Sequence, residues 1–258
     1  MCPPQPPTEP GLFREEPFAH FLVRALDARV GGALAVEPPG GPSCVVQLKR
    51  GIPRRVRCAD NFALFGGVLV NAGVVTSTEI ERALCDPGLV GEALVALGHI
   101  DERTLEWALA RQLILRMARI FGFPPATTFV FREGVDAFAD TPGRAPRVDP
   151  LQILWVGLRT HAEASTRMHG TLGRIGRAPF TIRGDADVRR FGFSGEAVQL
   201  VEVIQRGRVT LPELVAARLA PEPLCRALVY TLSLSRYLDV APVAEIVDEE
   251  STDDAVEP

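Results

Sequence analysis

From Leu64 to Gln112 the chain states one pattern twice at an offset of 25 residues, and no other feature limits its fold as much. The first copy runs Leu64-Phe65-Gly66 through Ala72-Gly73-Val74 to Thr76, Glu79, Ile80 and Leu84. The second runs Leu89-Val90-Gly91 through Leu97-Gly98-His99 to Asp101, Thr104, Leu105 and Leu109. An internal period of this length marks one supersecondary unit used twice. In each copy a short apolar helix follows the first glycine and stops at the second, where a left-handed residue costs glycine no Cβ clash. A second helix then starts on a polar cap. Thr76 with Glu79 is a capping box, and Asp101 caps the second copy alone. Helix pairs this short do not bury their own apolar faces, so the two copies are expected to pack on each other.

The flanks give the class. Phe18, Phe21, Leu22 and Leu26 fall at helical spacing between Pro17 and Val30, and Gly31-Gly32 is expected to end that helix. Ala33–Val36, the turn Pro38–Gly41 and Cys44–Leu48 read as a β-hairpin, with a third strand at Arg54–Ala59. After the repeat, Leu105, Leu109, Leu113, Met117 and Phe121 line a long helix stopped by Gly122 and Pro124-Pro125. Thr127–Phe131 is expected to return as a strand to the same sheet. The proline- and glycine-rich stretch Asp140–Pro146 reads as a domain boundary. Beyond it lie a helix from Pro150 to Leu158, a short strand at Pro179–Ile182 and a helix at Glu196–Ile204. Then come a second capping box at Thr210 and Glu213, and a helix to Leu234 with an extended tail. The expectation is an α+β chain: a small antiparallel sheet with a helical insertion, then a mostly helical, winged-helix-like second domain. In residue numbers, 1–14 is a disordered proline-rich leader, 15–139 the first domain with the repeat at 64–121, 148–241 the second domain, and 242–258 a disordered acidic tail.

The repeat resembles the N-terminal domain of type II secretion and type IV pilus assembly ATPases, whose tandem motif reads roughly R-L-G-x-x-L-V-x-x-G-x-L-x4-L-x3-L-x2-Q. The flanks, including the basic turn Lys49-Arg50-Gly51-Ile52-Pro53 and the segment Thr127–Gly134, resemble the PatA-like N-terminal (PATAN) domain of bacterial signalling proteins. The resemblance covers about the first 140 residues. It implies docking to motility or pilus machinery, or to another regulator, and in some relatives of the repeat it implies binding of cyclic di-GMP. The motif's arginine is replaced by Leu64 in the first copy and Leu89 in the second, and its glutamine survives only as Gln112. The planar donors suited to phosphates and guanine edges are therefore missing.

Composition narrows the rest. Seven acids and no base lie between Pro242 and Pro258, so the net charge of −4 leaves the body of the chain close to neutral. Nothing global argues for nucleic acid or a membrane surface. Five cysteines, odd in number and without a C-x-x-C, read as reduced thiols of a cytoplasmic protein. The longest apolar run, Phe62 to Val75, is too short and too broken to span a bilayer. The four histidines show no metal-ligand spacing, although His161 and His169 read as sharing one helical segment. No nucleophile elbow or phosphate loop is present. No catalysis, cofactor or metal is expected.

Two clusters remain. Arg54, Arg55 and Arg57, with Gly66, Gly91 and Gln112 of the repeat, are the candidates for holding a nucleotide. Lys49, Arg50, Arg55 and Arg57 are the candidates for meeting a partner protein. The first functional expectation is a non-enzymatic bacterial signalling adaptor whose partner the sequence does not identify. The alternative is a cyclic di-GMP effector, and the third is a DNA-binding regulator through the C-terminal unit. The helix at Pro221–Leu234 offers Leu224, Ala227, Leu228 and only Arg226 as a base, which is a poor groove reader.

Overall fold

The computed structural model describes residues 10–161, 166–176 and 178–241. Most of the expected leader and the whole acidic tail lie outside them. The described end of the leader is ordered: Gly11–Leu12 forms β1, and Phe13 is buried behind it. Helix α1 spans Phe18–Ala28 and buries Phe18, Phe21, Leu22 and Ala25. It ends earlier than expected, because Arg29 itself turns left-handed at φ 52°.

Strands β2 (Gly32–Glu37), β3 (Cys44–Lys49) and β4 (Ile52–Cys58) form the expected antiparallel meander. Arg50 and Gly51 both have positive φ, so Lys49 and Ile52 close a two-residue hairpin. Strand β4 carries a bulge: Leu48 pairs with Pro53 and Gln47 with Arg55, which leaves Arg54 as the extra residue. Strand β5 (Thr128–Glu133) returns after the repeat and inserts between β1 and β2, giving the order β1-β5-β2-β3-β4. The chain is thus α+β, with β4 at an edge.

The repeat forms four helices: α2 (Phe65–Asn71), α3 (Ser77–Leu84), α4 (Val90–Ala96) and α5 (Glu102–Phe121). Both copies stop alike. Gly73 (φ 67°) and Gly98 (φ 74°) are left-handed. The N–H of Val74 reaches the carbonyl of Leu69, and that of His99 the carbonyl of Leu94. These are paired Schellman ends. The Thr76–Glu79 capping box forms, and Asp101 accepts from Thr104 N at 2.7 Å. His99 Nδ1 lies 3.1 Å from Glu79, tying the end of one copy to the cap of the other. The carboxyl of Glu79 is held below its ordinary range, mainly by its bonds to Thr76.

The C-terminal part comprises α6 (Pro150–Thr160), α7 (Thr166–Ile175), β6 (Phe180–Ile182), a 3-10 turn at Val188–Phe191, α8 (Glu196–Arg206), α9 (Leu211–Ala216), α10 (Glu222–Leu234) and β7 (Leu238–Val240). Strand β7 pairs with β6, and Val209 bridges Phe180 on the other side. Helix α10 is the centre of this half, buried along Cys225, Ala227, Leu228, Val229, Tyr230, Thr231 and Leu232.

The segment at Asp140–Pro146 does not divide the core. Buried side chains from Phe13 to Leu232 make one continuous cluster, with α6 packed on α1, α5 and α10. His20 Nε2 and the Tyr230 hydroxyl, 2.9 Å apart, link α1 to α10. The separate core is that of the repeat: Leu69, Val75, Ala83, Leu94, Ile100, Leu105 and Ala108. No helix among the described residues is long and apolar enough to cross a membrane.

Candidate functional site

Helix α5 presents Leu105, Leu109, Gln112, Leu113 and Arg116 at helical spacing, so all five fall on one stripe. That stripe faces the edge of β4, and α4 closes the side. A cavity of about 400 Å³ lies between them, roofed by the segment Phe138–Pro146. Arg54, Arg55, Arg57, Gly91 and Gln112 all line it, so the structure gathers five of the six residues singled out for ligand contact. Gly66 is not among the lining residues. A Cβ there would sit 3.0 Å from Ile80, and one on Gly91 would sit 2.6 Å from Leu105. Both glycines are therefore packing positions, equivalent across the two copies.

The arginines have unequal roles. Arg54 Nη2 donates to the carbonyl of Ala145 at 3.3 Å, and Arg55 donates to the carbonyls of Thr141 and Gly143. Gln47 Nε2 donates to Gly32 O and Val135 O, both at 3.1 Å, while its Oε1 accepts from Ala137 N at 2.9 Å. Arg144 pairs with Glu102 at 2.5 Å. The stretch that read as a boundary is thus a strap fastened over the outer face of the sheet. Arg55, named above for partner contact, gives one N–H from each of its two terminal nitrogens to the strap. Lys49 and Arg50 stay exposed at the hairpin tip. Gln112 Nε2 donates to Ala63 O at 2.8 Å and so fixes the entry to the repeat.

Two guanidinium groups are different. Arg57 is exposed and lies over the Phe138 ring, 5.4 Å from its centroid. Arg116 donates Nε to Phe62 O at 2.9 Å and Nη1 to Val56 O at 3.0 Å, capping a carbonyl on the open edge of β4. Among the described residues neither has a carboxylate partner. Burial holds the Arg116 guanidinium below its usual value. Sequence reasoning did not single out Arg116. The signal was its place four residues after Gln112 and eleven after Leu105, on the same stripe.

Beneath the strand edge, Cys44 and Cys58 stand directly opposite each other, with Cys44 Sγ donating to Cys58 Sγ at 2.8 Å. That bond raises the Cys44 thiol far above its ordinary value and lowers Cys58, and Arg116 and Arg119 lower Cys58 further. The described cysteines are all free thiols.

The histidines do not assemble. His20 serves Tyr230, His99 meets Glu79, and the His161 ring covers Gly122. His161 caps the end of α6 while His169 lies on α7, so the two do not share one helix. Burial lowers the His161 pKa. Among the described residues no group of three His, Cys, Asp or Glu side chains is placed to hold a metal ion.

The two leucines at the motif's arginine positions bear on the nucleotide reading. Leu64 is 53% exposed and Leu89 lines the cavity, so neither offers a donor where the motif needs one. Calorimetric titration with cyclic di-GMP is expected to give no binding heat in the micromolar range. A heat that disappears in Arg54→Ala or Arg57→Ala would place that nucleotide in the cavity after all. Compared with protein-family models, with curated proteins and with solved structures, the chain finds no match.

Proposed function

We propose that this chain is a non-enzymatic, cytoplasmic bacterial signalling adaptor that works by holding a partner protein, and that the helical repeat makes the contact. One observation carries the reading. Of the nine large apolar side chains that are exposed among the described residues, Phe62, Leu64, Val74, Leu84, Leu97 and Trp107 belong to the repeat or the turn leading into it. Exposed apolar groups concentrated in one module mark an interaction surface more often than scattered ones do. Val74 and Trp107 line a shared hollow with Ala72, Arg103 and Thr104, and a half-exposed tryptophan beside an arginine is the usual make-up of a binding hot spot. The resemblance to PATAN domains and pilus ATPases points to motility or pilus machinery as the setting. We place the docking face on the repeat rather than on the basic strand, because Arg55 of that strand is engaged by the strap. A DNA-binding role through α10 has little support, because that helix is buried along most of its length.

Site-specific photo-crosslinking in the native host tests this. A crosslinker at Trp107 or Val74 is expected to capture the same protein, while one at exposed Arg206 on α8 does not. Trp107→Asp should abolish that capture with the melting temperature unchanged. Capture of the same protein from position 206 alone would put the docking face elsewhere.

A further inference from the structure

The cavity between β4, α4, α5 and the strap has a composition that neither a docking face nor a packing defect requires. Its apolar wall is made by Phe65, Leu89, Val90, Leu105, Leu109 and Leu113. Five arginines reach it and one carboxylate, that of Glu92, does. Three of the five are committed: Arg54 and Arg55 hold the strap, and Arg144 is paired with Glu102. Arg57 and Arg116 remain with no carboxylate of the described chain. Arg116 is half-buried, and an anion beside it would offset the cost of that burial, while Arg57 is exposed and supplies a second cation. At about 400 Å³ the space lies within the range of small-molecule sites. Apolar walls beside two guanidinium groups that form no salt bridge among the described residues select a ligand that is both greasy and charged.

We propose that this cavity binds a single-headed amphipathic anion, its apolar body against the α4–α5 wall and its carboxylate or phosphate head on Arg57 and Arg116. The site is separate from the docking hollow. Trp107 stands two positions beyond Leu105, some 200° around α5 by helix geometry, and so faces away from the cavity. The guanidinium groups suit such a head because they present paired donors in one plane. Phe138, stacked under Arg57, limits how far that cation can swing and keeps it near the mouth. The ligand would touch the sheet through β4 and the repeat through α4 and α5, and the strap would cover it.

Isothermal titration of the full chain tests the proposal with four probes below their micellar concentrations. Decanoate and decyl phosphate carry both properties, decan-1-ol only the chain, and inorganic phosphate only the charge. One equivalent of a decyl anion is expected to bind, at least tenfold more tightly than decan-1-ol or phosphate. The ratio of decanoate to decyl phosphate tells a fatty carboxylate from a phosphate-headed lipid. Arg57→Ala, which leaves the strap bonds of Arg54 and Arg55 in place, should weaken the anion about tenfold and leave decan-1-ol unchanged. Leu109→Glu should abolish anion binding, and circular dichroism would establish that each variant is folded. Arg116→Ala also removes two backbone bonds, so the conclusion rests on the other two variants. Equal affinity for decanoate and decan-1-ol, or undiminished decanoate binding in both folded variants, overturns the proposal, as does the absence of binding by either decyl anion.

Discussion

Leu94→Ala is expected to cost the repeat roughly 3–5 kcal/mol, the usual loss when a fully enclosed leucine leaves a cavity that its neighbours do not refill. Leu94 is completely buried in the small cluster with Leu69, Val75, Ala83, Ile100, Leu105 and Ala108. Because this cluster is separate from the main core, the loss should appear locally. Hydrogen exchange is expected to quicken through α2, α3 and α4, while the amides of β2, β3 and α10 keep their protection. Leu109 repeats the motif but is only half-buried at the cavity wall, so its truncation should cost about 1–2 kcal/mol, below the full core value. Glu106→Ala, on the solvent face, should stay within about 0.5 kcal/mol. A uniform rise in exchange across both clusters after Leu94→Ala would show that the repeat has no stability of its own.

Gly32→Ala is expected to destabilise the whole sheet by about 4 kcal/mol, through strain and a lost pairing together. Gly32 opens β2 at φ 156°, and a Cβ built there lies 2.2 Å from the carbonyl oxygen of Arg132. That oxygen belongs to the backbone of β5, the strand paired with β2 from Gly32–Glu133 to Glu37–Thr128, so it has nowhere to move without opening the ladder. Gly67 makes the contrast. It sits within α2, and a Cβ there meets nothing within 4 Å. Gly67→Ala should therefore be neutral or gain up to about 1 kcal/mol of helix stability. Urea unfolding of both variants decides the matter, and equal midpoints would mean that the β2–β5 junction tolerates a side chain.

The elements whose signals are local were legible in the sequence. The Thr76–Glu79 box, the Gly73 and Gly98 stops and the apolar spacing of Phe18, Phe21 and Leu22 all depend on residues within one or two turns of each other. What was hidden depends on distant partners. Strand β1 is two residues long, too short for any alternation, and exists because β5 offers it an edge. Arg29 ends α1 in a conformation that glycine normally takes, held by a bond from Val30 N to Ala25 O. The strap has the proline and glycine content of a linker, and bonds from distant side chains, Gln47, Arg54, Arg55 and Glu102, make it a wall. The candidate site was half legible for the same reason. Its arginines and its repeat residues were each visible, but they read as unrelated groups until β4 and α5 were placed face to face.

The insertion of β5 between β1 and β2 sets an order of events for the growing chain. Gly32 pairs with Glu133, about a hundred residues later, whereas α2, α3 and α4 pack on one another and on α5 within the repeat. Closing a loop of that length carries an entropic penalty that short-range helix pairs do not meet. The repeat has already been synthesised when β5 emerges, and its folding would draw the two ends of the loop together. Sheet closure should therefore be the late step, and a chain arrested before Thr128 would expose the unpaired flank of β2, a ready template for wrong strands. The helical insertion would then serve biogenesis, as a spacer that must condense before the sheet it interrupts can be completed.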